Sequence, residues 1–315
     1  MKNKRQFYLR FILAVFLGLT LNLSAFASSA ICTQVENDPA SKHQLNPPPS
    51  HIDGSEALIY KSIDGVDLRL HVFEAIQKQS QRHLKNSKKP VILFFFGGAW
   101  EYGSVNELIE PAKYFSERGV VSVLVDYRVF CRNGSSIADE ISDAKSAVRY
   151  IRSHASKFGI DPNRIAVAGA SAGGHLALST ATIEGFETSN EDKSISSKPN
   201  LLALFYPCSD VTTDEEKMYG GDAIGTYGKE VSPLYHVRQK LPPTLIIQGT
   251  DDIVYEENKK FCSESNTFGN TCEFIVYKGA QHGFFSADFN NGKWYRQALK
   301  KMAGFLTNVG YLKYK

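Results

Sequence analysis

The sequence predicts an α/β fold with a mostly parallel, doubly wound sheet, and three observations carry that expectation. The runs Val91 to Phe96, Val120 to Val125, Ile165 to Ala168, Leu201 to Tyr206, Thr244 to Ile247 and Phe274 to Tyr277 are apolar at consecutive positions, as strands buried on both faces must be. Segments of helical period separate them. The turn Gly169-Ala170-Ser171-Ala172-Gly173-Gly174 joins one such strand directly to a helix-like stretch, and alternation of this kind builds an open sheet with helices on both faces.

The chain opens with Lys2, Lys4, Arg5 and Arg10, followed by an apolar stretch from Phe11 to Ala27 that closes on Ala25-Phe26-Ala27. A basic start, a short apolar centre and an A-x-A ending read as a signal peptide over residues 1–27. The expected location is therefore secreted or periplasmic, with no stable membrane insertion after cleavage. A lipid anchor at Cys32 is disfavoured, because Ile31 is too large for the small-residue position that lipoprotein processing requires. Residues 28–55 are polar and contain Pro47-Pro48-Pro49, which suits an extended N-terminal arm. Residues 56–315 suffice for one α/β domain with a full core.

Four of the 36 Lys and Arg lie in the leader, so its removal leaves 32 against 33 Asp and Glu. The mature chain is close to neutral. Nothing in that balance favours nucleic acid or an anionic membrane as partner.

From Val66 to Val72 apolar residues alternate with Asp67, Arg69 and His71, the pattern of a half-exposed antiparallel strand near a sheet edge. On this reading His71 is a solvated strand residue. The clearest helix carries Ile137, Ile141, Ala144, Val148, Ile151, Ala155 and Phe158 on one face, with Asp139 and Glu140 in its first turn, Lys157 in its last and Gly159 as C-cap. Of the five cysteines, Cys262 and Cys272 are the pair chosen for a disulfide, across a helix and the strand after it; two separate buried thiols are the alternative. No Cys/His spacing suited to zinc appears.

The chemistry gathers on loops at the carboxyl ends of the strands, where ligands sit in such sheets. G-x-S-x-G between strand and helix projects a serine hydroxyl above the sheet edge, so Ser171 is the candidate nucleophile. A serine needs a neutral histidine to take its proton, and the histidine needs an anion to hold its tautomer. Gly279-Ala280-Gln281-His282 and Gln248-Gly249-Thr250-Asp251-Asp252 end consecutive strands. His282 is thus the candidate base and Asp252 its orienter, with Asp251 as the alternative acid. His175 and His154 fall on helices and read as packing or surface residues. In Phe96-Gly97-Gly98-Ala99-Trp100 the strand gives way to glycines, so the N–H groups of Gly98 and Ala99, with that of Ala172, would close on an oxyanion. Trp100 and Tyr102 are candidates to line an acyl or sugar pocket, with core packing an equal alternative for Trp100.

Together, Phe96-Gly97-Gly98-Ala99-Trp100, Asp126-Tyr127-Arg128, Gly159 to Arg164, Gly169 to Gly174 and His282-Gly283-Phe284 resemble the α/β-hydrolases of the hormone-sensitive-lipase-like and carbohydrate-esterase-like group. The resemblance implies the α/β-hydrolase fold, a Ser171-Asp252-His282 triad, no cofactor or metal, and ester hydrolysis through an acyl-enzyme. Phe96 stands where that group carries the first residue of His-Gly-Gly-Gly, which leaves the support of the loop to be found elsewhere. Tyr60-Lys61, Phe94 to Gly98 and Gly310-Tyr311-Leu312-Lys313 are similar to secreted bacterial acetyl or feruloyl esterases, which implies a polysaccharide or small-molecule ester as substrate. The polar segment between Pro207 and Pro242 reads as a rim rather than a lipid-binding lid. A serine peptidase of the same fold and a catalytically silent binding protein are the competing functions.

Overall fold

The computed structural model describes residues 31–38, 42–76, 88–287 and 289–313, so the signal peptide expected over residues 1–27 lies outside the described residues. Two units divide the chain, residues 1–46 and 47–315. In the first, residues 31–37 form a helix, α1, and Lys42–Leu45 a 3-10 turn. The expected arm is therefore helical in part rather than extended throughout.

The second unit is built on an eight-stranded sheet in the order β1-β2-β4-β3-β5-β6-β7-β8. The strands are β1 (Glu56–Ile63), β2 (Val66–Phe73), β3 (Lys89–Phe95), β4 (Val121–Val125), β5 (Ile160–Ala170), β6 (Leu201–Phe205), β7 (Thr244–Gly249) and β8 (Cys272–Tyr277). β1 and β2 form a hairpin through Asp64-Gly65, and β2 pairs antiparallel with β4. All later pairings are parallel. Every residue of β4, β6 and β7 is buried. Since successive side chains point to opposite faces, both faces of the sheet's centre are covered.

Two expectations about the sheet need correction. β2 does lie next to the edge strand β1 and pairs antiparallel, but His71 is fully buried, with His51, Arg69 and the main chain at Pro49 beside its imidazole. Burial, with Arg69 and His51 nearby, pushes its imidazole down to about 4. The last run, Phe274 to Tyr277, belongs to β8, which is the far edge and half-exposed at several positions.

The helices are α2 (Ile109–Ser116), the single turn α3 (Phe130–Asn133), α4 (Ile137–Ser153), α5 (Ala172–Thr182), α6 (Asp214–Ile224), α7 (Tyr255–Thr267) and α8 (Lys293–Asn308). Ser136 caps α4 through a box: its hydroxyl accepts from the Asp139 N–H, and Asp139 accepts from the Ser136 N–H at 2.9 Å. Ile137, Ile141, Ala144, Val148 and Ile151 form its buried face as expected. The helix ends at Ser153, not near Phe158, because residues 154–159 turn the chain into β5, with the Ile160 N–H donating to the Ala155 carbonyl and Gly159 at φ 60°. Asp143 on α4 accepts from Lys61 of β1 at 2.7 Å and from Arg128 Nε at 2.9 Å. That buried pairing ties the helix to the sheet edge and to the loop after β4. Cys262 of α7 and Cys272 of β8 are joined by the expected disulfide.

Register sets the place of the site. Phe95 pairs with Val125 and Gly169, Ala170 with Phe205, Phe205 with Ile247, and Gly249 with Tyr277. The parallel strands thus end in one line. Each loop singled out in the sequence leaves from it.

Candidate active site

Ser171 sits at the break between β5 and α5 with φ 53° and ψ −123°, a backbone that a side chain adopts only under constraint. The constraint is visible in its bonds. Its N–H donates to the Phe205 carbonyl at 3.1 Å, and its carbonyl accepts from His175 at 2.9 Å. A Cβ on Gly169 would strike the Gly173 carbonyl, and one on Gly173 would strike the carbonyls of Phe95 and Phe96. Glycine at these positions lets α5 start directly against the ends of β5 and β3.

His282 Nε2 lies 2.8 Å from Ser171 Oγ, and its Nδ1 lies 2.9 Å from Asp252 Oδ1. With the proton on Nδ1 donated to the carboxylate, Nε2 is left to accept from the serine hydroxyl. Asp252 is buried and also accepts from the Val254 N–H at 3.1 Å. Asp251 is exposed and its carboxylate accepts from the Thr250 hydroxyl at 2.7 Å. Its N–H donates to the Ala280 carbonyl at 3.1 Å, so the loops after β7 and β8 are tied together. Of the two acids, Asp252 is the one brought to the histidine.

The Gly97-Gly98-Ala99 loop runs beside the serine: a Cβ on Gly97 would lie 3.5 Å from Ser171 Cβ. Gly98, Ala99 and Trp100 have φ of 121°, 52° and 63°. Among the described residues, neither the Gly98 nor the Ala99 N–H donates to a backbone carbonyl. Ala172 is the first residue of α5, so its N–H has no intrahelical acceptor.

Phe96 is fully buried, its ring stacked on Tyr127 with centroids 4.1 Å apart and planes 13° apart. The Tyr127 hydroxyl donates to the Phe96 carbonyl at 2.7 Å. The loop is thus held from the Asp126-Tyr127-Arg128 segment rather than by a histidine at its head.

Two further side chains, Tyr206 and Cys208, escape the sequence reading, and His175 has a partner that the reading does not supply. The Tyr206 ring meets the His282 ring edge-on at 4.8 Å and the Phe284 ring at 4.9 Å, which braces the imidazole. Cys208, a buried thiol, has its Sγ 3.9 Å from Ser171 Oγ. His175, set aside as a packing residue, accepts at Nδ1 from Trp100 Nε1 at 3.1 Å. Tyr206 and Cys208 follow β6, the strand beside β5, and that position was their available signal. Trp100 is fully buried, so it packs the core rather than lining a pocket, whereas Tyr102 is half-buried. His154 stacks on Tyr150 at 4.1 Å, as a surface packing residue.

The segment between Pro207 and Pro242 carries α6, interrupted at Gly220, and two 3-10 turns, Lys229–Val231 and Pro233–His236. No described helix is long and apolar enough to cross a membrane.

Residues 80–263 match the BD-FAE family model. The chain is 27% identical to an acetylxylan esterase of Xylanibacter ruminicola, over 68% of this chain and 44% of that protein. It is 29% identical to a probable isoprenylcysteine alpha-carbonyl methylesterase of Arabidopsis thaliana, over 63% of this chain and 46% of that one. It thus spans about half the length of these curated relatives. Among solved structures, the apo form of Thermogutta terrifontis esterase 2 superposes with a TM-score of 0.78 and 36% identity, over 86% of this chain and 100% of the other. The same esterase has been captured phosphorylated by paraoxon.

Proposed function

The chain belongs to the BD-FAE family and has the α/β-hydrolase fold, and from that premise we propose that it is a secreted serine carboxylesterase cleaving short acyl esters, acetyl or hydroxycinnamoyl, on carbohydrate. The observation that carries the reading is the unbroken chain of hydrogen bonds Ser171–His282–Asp252, at 2.8 and 2.9 Å.

In this mechanism His282 Nε2 takes the Ser171 proton as Oγ attacks the ester carbonyl, and Asp252 stabilises the imidazolium that forms. The carbonyl oxygen gains charge and is received by the N–H groups of Gly98, Ala99 and Ala172. Collapse of the tetrahedral intermediate expels the alcohol, which leaves with the proton from His282. Water then repeats the sequence on the acyl-enzyme and releases the acid.

Two features support the finer substrate assignment. One relative is named an acetylxylan esterase. The rim from Pro207 to Pro242 is polar in sequence, which suits a hydrated glycan better than a lipid chain. Secretion rests on the basic and apolar composition of residues 1–27.

The deciding experiment is hydrolysis of p-nitrophenyl acetate by the wild type and by Ser171→Ala, where kcat should fall by roughly 10³ to 10⁶. Equal and negligible rates would overturn the esterase reading. Faster turnover of the palmitate than of the acetate would overturn the short-acyl assignment.

A further inference from the structure

Two consecutive residues after Gly98, Ala99 and Trp100, hold left-handed backbones with φ of 52° and 63°. Neither is a glycine. Such conformations are strained for a residue that carries a Cβ and persist only where the surroundings fix them. On the loop itself, the Glu101 and Tyr102 N–H groups both donate to the Gly98 carbonyl, at 3.0 and 3.1 Å. That closes a turn, and α3 holds its outer side, with the Phe130 N–H donating to the Trp100 carbonyl at 3.0 Å and the Cys131 N–H to the Glu101 carbonyl at 2.9 Å. The Trp100 side chain adds the contact that reaches the helix of Ser171.

The Trp100 indole is fully buried, with its Nε1–H donating to His175 Nδ1 at 3.1 Å and its ring edge-on to the imidazole. His175 lies one turn along α5 from Ser171, and its own N–H donates to the Ser171 carbonyl at 2.9 Å. Its Nε2 faces the Val231 carbonyl at 2.7 Å. Because Nδ1 must accept from the indole, Nε2 carries the proton and donates to Val231. One imidazole therefore joins the helix of the nucleophile, the strained loop and the rim.

We propose that His175 is a positioning residue for the oxyanion hole: through Trp100 it fixes the Gly98-Ala99 N–H groups relative to Ser171, and it acts together with the rim segment 220–231. This inference rests on the esterase reading above. The rim's part in it is carried by two contacts besides Val231. The Glu101 carboxylate accepts from the N–H groups of Asp222 and Ala223, both at 3.1 Å. Gly220 packs so closely on Trp100 that a Cβ there would fall 2.5 Å from the indole Cε3. The neutral imidazole that the arrangement needs is favoured by burial, which pushes His175 down to about 4. A charged imidazole would donate from both nitrogens and turn the indole N–H away.

The test uses wild type, Ser171→Ala, His175→Ala, His175→Asn, Trp100→Phe and the double variant His175→Ala with Trp100→Phe. Each is assayed on p-nitrophenyl acetate per mole of folded protein, the folded fraction being read by far-ultraviolet circular dichroism. Removing a whole oxyanion donor costs about 10² to 10³ in kcat, so displacing the donors should cost about 10- to 100-fold in His175→Ala and in Trp100→Phe, with KM within about threefold. The double variant should be no slower than the slower single one, since both act through one hydrogen bond. His175→Asn, which keeps an acceptor near Nδ1, should recover most of the loss. Affinity for a trifluoromethyl ketone, which fills the hole as a hemiketal oxyanion, should fall in step with kcat.

Additive losses, a change confined to KM or to the folded fraction, an asparagine variant as slow as the alanine one, or unchanged ketone affinity would each overturn the proposal. Variants as fast as wild type, with Ser171→Ala inactive, would overturn it and leave the esterase reading standing. A wild type no faster than Ser171→Ala would overturn both.

Discussion

Tyr127 holds Phe96 twice, by a ring stack at 4.1 Å and by a hydroxyl that donates to the Phe96 carbonyl at 2.7 Å. The second bond satisfies the last main-chain acceptor before the glycine loop. Tyr127→Phe keeps the stack and leaves that buried carbonyl without its donor, a loss of about 1–2 kcal/mol. Urea unfolding should show this as a lower midpoint with an unchanged slope, and a midpoint equal to wild type would contradict it.

The two adjacent acids of the β7 loop should separate cleanly in kinetics. Asp252→Asn can no longer hold the imidazole in the tautomer that accepts from Ser171, and kcat should drop by roughly 10³ to 10⁴. Asp251 is exposed and bonded to the Thr250 hydroxyl. Its Asn variant touches no reacting group, so kcat should stay within about threefold. Comparable losses in both would show that the acid is shared.

Glu101 gives a stability effect that depends on pH. Burial, opposed by its two N–H donors, pushes its carboxyl up to about 7 from an ordinary value of 4.5. The folded protein therefore keeps a proton there that the unfolded chain has lost. The stability that Glu101 contributes is full below about pH 4.5 and falls as pH rises towards 7. His71 and His175, pushed down to about 4, act with the opposite sign between about pH 4 and 6.5, so comparison with a variant is needed to isolate the effect. Glu101→Gln keeps an acceptor for Asp222 and Ala223 but never carries the buried charge. It should match wild type near pH 5 and exceed it by about 1–3 kcal/mol at pH 8 in urea unfolding. A gap that is the same at both pH values would refute this account.

The Cys262–Cys272 bridge closes a sequence separation of 10 residues between α7 and the edge strand β8. Replacing both cysteines by alanine frees that loop in the unfolded chain and should cost about 3 kcal/mol. Hydrolysis at 25 °C should be unchanged, because the bridge lies away from Ser171. Loss of activity without loss of thermal stability would place the bridge in the site instead.

The fold was legible because parallel strands buried on both faces have a sequence form of their own, unbroken apolar runs, and all six runs fall on strands. The reading failed where burial depends on a partner that the run itself does not specify. Alternating polarity around His71 reads as a solvated face, yet the chain at Pro49 and His51 lies against its imidazole. In the site, Ser171, Asp252 and His282 were visible since each follows a strand end, and parallel register turns position along a strand into position in space. The Trp100–His175 bond left no such mark. It joins residues 75 apart through side chains alone, and a helical histidine beside small residues looks like packing until its partner is seen.

The buried indole also makes the loop observable by light. The chain has two tryptophans: Trp100, wholly enclosed against an imidazole, and Trp294, partly open to solvent. Their emission maxima should differ, with the blue component arising beside the loop that flanks Ser171. An ester or inhibitor that shifts the loop would then announce itself in intrinsic fluorescence, without any label, on the timescale of a stopped-flow mixing experiment.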